Sequence, residues 1–76
     1  MTTKSLTIAV RVMLLNNRLA VLISDEVGNA KEIQHIATEL YDCAKELRYQ
    51  ARQRGLADVE HYALKAMDFS DAVLSV

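Results

Sequence analysis

The chain has 76 residues, 51% of them hydrophobic and only 5% aromatic, and a formal net charge of −1. That length allows a single domain, residues 1–76, with a marginal core of its own, and the charge gives no bulk attraction to nucleic acid or an anionic membrane. One cysteine, Cys43, excludes an intrachain disulfide and, with only two histidines, a structural zinc site within one chain. Self-association is the remaining way to strengthen so small a core.

The first element is ambiguous. In "VRVMLLNNRLAVLIS", residues 10–24, Asn16-Asn17 could turn a β-hairpin pairing Leu14 with Leu19, Val12 with Val21 and Val10 with Ile23. The other face of that ribbon would carry Ala9, Met13, Leu15, Ala20 and Leu22, and two helices hardly cover both faces of two strands. Read as a helix, Ile8, Val12, Leu15, Leu19 and Leu22 fall at steps of four and three, and Lys4, Arg11, Arg18 and Asp25 form a narrow polar strip. The helix is preferred, with Ser5 or Thr3 capping its start; an N-terminal β-hairpin followed by two helices is the alternative. Such a helix is apolar most of the way round. Its outer side, with Leu6, Val10, Met13, Val21 and Ile23, needs a further cover, most economically a second copy in a two-fold dimer. Asn16 and Asn17 would then lie near that interface, where a buried amide fixes register. Arg11 and the Asn16-Asn17-Arg18 triplet leave too few consecutive apolar residues for a membrane span, and no signal-peptide cleavage site follows. A cytoplasmic protein without membrane contact is expected.

The second element runs over residues 30–54. Asn29 and Glu32 make a capping box, and Ile33, Ala37, Leu40, Ala44, Leu47 and Ala51 mark one face, widened by Ile36. Lys45, Arg48, Arg52 and Arg54 crowd the end where the helix dipole favours cations, and Gly55 stands just past it. The third element spans 58–75, with Asp58 as the N-cap and Glu60 in the first turn. Val59, Tyr62, Ala66, Phe69, Val73 and Val76 form its apolar stripe, flanked by Ala63, Met67 and Leu74. So short a connection makes these two an antiparallel helical hairpin. The expected fold is all-α, a three-helix protomer that dimerises.

Candidate chemistry is thin. Glu32 and His35 form an E-x-x-H pair continued by Glu39, Asp42 and Glu46, a spacing that serves di-iron bundles. This strip lies beside the apolar stripe, however, and the further inward glutamates are missing, so no metal or other cofactor is expected. It reads instead as an acidic edge that is solvated or faces a partner's basic edge. "ARQRGLADVEHYAL" invites a helix-turn-helix reading, but Glu60, Asp68 and Asp71 would repel phosphate, and a plain αα-hairpin fits better. Cys43 has no base at helical spacing, since His35 is two turns away, and is expected to be a half-buried inert thiol. Tyr41, Tyr49 and Tyr62 suit packing or an interface better than base stacking. No catalytic arrangement is present, and an enzyme is not expected.

The run "ELRYQARQRGLADVEHYALKAMDFSDAVL" resembles the small helical accessory proteins of lambda-like temperate phages in length, absence of proline and a helix pair broken by Arg-Gly-Leu. The resemblance implies a non-essential modulator of host or phage development that binds a protein, and it transfers no functional residues. The expected function is therefore a non-enzymatic protein–protein interaction module that binds itself and another protein. Its candidate interface residues are Leu6, Val10, Met13, Asn17 and Val21 on the first helix, and Glu39, Asp42, Arg48 and Arg52 on the second. The alternative is a small nucleic-acid-binding regulator using Arg48, Arg52 and Arg54.

Overall fold

The computed structural model describes residues 3–24 and 30–75, with side chains from residue 7 onward. The fold is all-α: α1 Thr3–Ser24, α2 Ala30–Gln53 and α3 Ala57–Leu74, with no strand among the described residues. Asn16 and Asn17 lie inside α1, so the hairpin alternative is not formed. Ser5 also lies inside the helix rather than at its boundary. The Asn29 half of the capping box falls outside the described residues.

α2 is the middle helix. It packs against both α1 and α3, which touch each other only slightly. The arrangement is open, with a radius of gyration of 12.6 Å against about 11 Å for a compact chain of this length. The expected stripe is the face that α2 buries: Ile36, Ala37, Leu40, Ala44, Leu47 and Ala51, with Ile33 partly covered. α1 contributes Val12 and Leu19, both at 0% exposure, flanked by half-buried Ile8, Leu15 and Leu22. These are the positions at four-three spacing.

The face of α3 is rotated from expectation. Ala63, Ala66, Met67 and Ser70 are its buried residues; Val59, Phe69 and Val73 of the expected stripe are half-buried against the core, while Tyr62 remains 39% exposed. Small side chains explain the rotation. Ala37, Ala44 and Ala51 repeat every seven residues along α2 and all are buried. Arg48, one turn beyond Ala44, lies 3.9 Å from Glu60 of α3, which sets this edge beside α3. Small residues on both sides permit close approach, and Ser70 is accommodated because its hydroxyl donates to the carbonyls of Ala66 and Met67, both at 3.0 Å. Val76 lies outside the described residues.

The α2–α3 connection is closed by backbone bonds. Gly55 adopts φ +68°, its N–H reaches the Arg52 carbonyl at 3.3 Å, and the Leu56 N–H reaches the Ala51 carbonyl at 2.9 Å. This pair of bonds is the Schellman arrangement. Asp58 is not the N-cap of α3: the helix starts at Ala57, Leu56 occupies the cap position, and no side chain caps it. Asp58 and Glu60 lie in the first turn instead, where negative charge is favourable. A Cβ at Gly55 would meet nothing within 4 Å, so replacement by alanine costs only the left-handed backbone strain, about 1 kcal/mol. Urea denaturation of Gly55→Ala should show a lower midpoint at unchanged slope, with a smaller loss for Gly55→Asn.

Candidate interaction surface

α1 lies along α2 with the residue order reversed between them. Arg18 donates from Nη2 to Glu32 Oε1 at 2.8 Å, and Arg11 donates from Nη2 to Glu39 Oε1. His35 sits 3.7 Å from the other Glu39 oxygen. The polar strip of α1 and the acidic edge of α2 are thus each other's partners at these positions, and the edge is neither wholly solvated nor wholly available to another protein. Asp42 and Glu46 stay exposed. No group of three His, Cys, Asp or Glu side chains that could hold a metal ion occurs among the described residues.

Hydrogen bonding to Arg11 holds the Glu39 carboxyl below its ordinary range, and Glu39 raises Arg11 in return. The native state therefore binds this proton less readily than the unfolded chain. The pair's contribution to stability is complete above the ordinary glutamate pKa of about 4.3 and is lost as pH falls through the lowered native value. It is a modest contribution, because the Arg11 side chain is 59% exposed. Melting curves of wild type and Glu39→Gln, compared from neutral pH downward, should differ at neutral pH and converge in acid. Burial pushes the neighbouring Cys43 thiol upward, so it stays protonated and weakly nucleophilic near neutrality.

With its polar strip turned into α2, α1 presents an apolar side to solvent. Ile23, 44% exposed, projects from another side of the helix; on the outer side Val10 is 42% exposed, Met13 48%, Leu14 61% and Val21 66%. Asn17 is exposed among them. Four of the five candidate residues on α1, namely Val10, Met13, Asn17 and Val21, are thus exposed on one element; the Leu6 side chain is outside the described region. Leu14 was missed as an interface residue, although its position four residues after Val10 and seven before Val21 puts it on their face. Beside this face lies an open, mostly apolar groove of about 300 Å³ lined by Ala9, Val10 and Met13 of α1, Leu47 of α2, and Asp58, Val59 and Tyr62 of α3. Val10 and Met13 belong to both surfaces.

Within the basic group, Arg48 and Arg52 stand one turn apart on α2. Arg48 is half-buried and turned toward Glu60, while Arg52 is exposed at the end of α2. Thr7–Ser24 is long and apolar enough to cross a membrane by length and composition, with a mean hydropathy of 1.4 and 11% of the segment buried. The interrupting arginines and asparagines therefore do not bring the segment below that threshold, contrary to expectation.

In comparisons with known proteins, no family model, no curated protein and no solved structure matches this chain.

Proposed function

We propose that this protein is a small non-enzymatic interaction module, a cytoplasmic regulatory or accessory protein that associates with itself and binds another protein. In this reading α2 and α3 form an antiparallel helical hairpin, the scaffold on which α1 is laid. The observation that carries it is the uncovered apolar side of α1, where four large side chains, Val10, Met13, Leu14 and Val21, are 42–66% exposed. An apolar patch of this extent on a small domain marks an interaction site, and a core this small gains from being covered by a second copy. The resemblance of residues 46–74 to phage accessory proteins supports a modulator that works by binding.

Protein is a better cover for this face than a bilayer core. Arg11 and Arg18 both lie within the apolar segment, and an arginine at mid-bilayer costs about 2.5–3.5 kcal/mol. A nucleic-acid regulator built on Arg48, Arg52 and Arg54 is the rival reading, and the turn of Arg48 toward Glu60 weakens it. Light scattering on a sizing column, repeated across protein concentrations, tests the module reading. A mass rising from one chain to two is expected. A one-chain mass throughout, together with salt-sensitive binding of labelled duplex or RNA, would move the assignment to the rival.

A further inference from the structure

Resting on that reading of self-association, we infer that two copies pair along α1 in antiparallel fashion, with Asn17 of one protomer against the partner's Asn17 on the two-fold axis. Val10, Leu14, Asn17 and Val21 recur at steps of four, three and four, and all are exposed, so they make one seam with a single carboxamide within it. Covering that amide with hydrocarbon would strip its water and return nothing. A second carboxamide offers both a donor and an acceptor, so an asparagine on a two-fold axis is its own complement.

Charge points to the same occupant. Arg11 and Arg18, the basic residues along this stretch, are held by Glu39 and Glu32, so the seam sets no like charges against each other. The available area is also sufficient. The exposed fractions of Val10, Met13, Leu14 and Val21, with those of the exposed Asn17 and Ala20 between them, correspond to on the order of 500 Å² per protomer, and two copies together reach the roughly 1,000 Å² that a specific interface needs.

Helix polarity selects the antiparallel sense. α1 has no acidic residue in its first turn and no basic residue in its last, so side chains leave its dipole uncompensated. Antiparallel pairing places each positive end beside a negative one, whereas parallel pairing places like ends together. About Asn17 this register sets Met13 against the partner's Val21 and Leu14 against the partner's Ala20. Met13 also lines the apolar groove between α1 and α3, so the partner's Val21, from the most exposed of the large apolar positions, closes over the groove mouth.

The test is disulfide trapping in a Cys43→Ser background, with Asn17→Cys, Met13→Cys and Val21→Cys introduced singly at exposed positions and folding verified by circular dichroism. Under mild oxidation Asn17→Cys should cross-link to itself. Met13→Cys and Val21→Cys should cross-link when mixed, and each alone should remain a single chain on a denaturing gel. Failure of Asn17→Cys to cross-link, in a sample that scatters light as two chains, would overturn this seam and leave self-association standing. Preferential cross-linking of Met13→Cys to itself would overturn the antiparallel register. A one-chain mass at every concentration would remove both this inference and the reading beneath it.

Discussion

Leu40→Ala is expected to destabilise the protein by about 2–5 kcal/mol, against a total of about 4–11 kcal/mol for a domain of this length. Leu40 is fully buried at the centre of the α2 stripe, and α2 is the helix that both others pack against. The cavity therefore opens where the layers meet, and the short helices cannot collapse around it without losing contacts elsewhere. Chemical denaturation should show a single cooperative transition at a much lower midpoint, or a chain already unfolded in water. Leu19→Ala makes the informative contrast. Leu19 is equally buried, but α1 is anchored almost wholly through α2, so its truncation should loosen α1 and leave α2 and α3 together. Amide exchange resolved by residue separates the outcomes: uniform loss of protection for Leu40→Ala, and loss concentrated in α1 for Leu19→Ala.

The double variant Leu14→Glu with Val21→Glu should leave the protomer folded and abolish self-association. Both side chains are more than 60% exposed, so the protomer's stability should shift by no more than about 0.5 kcal/mol per site. In a dimer the same positions are desolvated, and the nearest cations, Arg11 and Arg18, are already held by Glu39 and Glu32. Association should weaken at least about a hundredfold, the equivalent of roughly 2.7 kcal/mol. Light scattering should give a one-chain mass at concentrations where the wild type gives two, with unchanged far-ultraviolet circular dichroism. A dimer that survives both substitutions would place the interface on another surface.

Legibility in the sequence followed the agreement of independent signals. For α2 the spacing of Ile33, Ala37, Leu40, Ala44, Leu47 and Ala51, the late cations and Gly55 all indicate the same helix, and the buried face is the one that spacing marks. For α3, Val59, Ala66, Phe69 and Val73 of the expected stripe do pack on the core, while Tyr62 was placed too far inward. Large aromatic residues dominate a hydropathy pattern, but close approach to the α2 alanines favours Ala63, Ala66 and Ser70. The N-cap shifted from Asp58 to Leu56 for a local reason: the Schellman closure at Gly55 delivers the chain directly into α3, leaving no residue free to cap with its side chain. In α1, pattern alone left a helix and a hairpin open, and the difficulty of covering a two-faced ribbon decided between them.

The pairing across α1 and α2 was not legible at all. Arg11 with Glu39 and Arg18 with Glu32 are both separated by seven residues on their own helices, but which strip meets which depends on the rotation and stagger of two packed helices. One sequence does not fix either. That pairing turned the acidic edge from a candidate docking surface into an internal contact at two of its positions. It also concentrated the case for an interface on the outer side of α1, where Leu14 joins Val10, Met13, Asn17 and Val21.

Backbone hydrogen exchange followed residue by residue through 7–24, at rising protein concentration, most directly tests whether this stretch is one helix whose outer side is covered by another copy. Slow exchange is predicted to run unbroken through Asn16 and Asn17, with protection from Val10 to Val21 increasing as the protein is concentrated. Rapid exchange at the two asparagines with protected segments on either side, or protection indifferent to concentration, would contradict it.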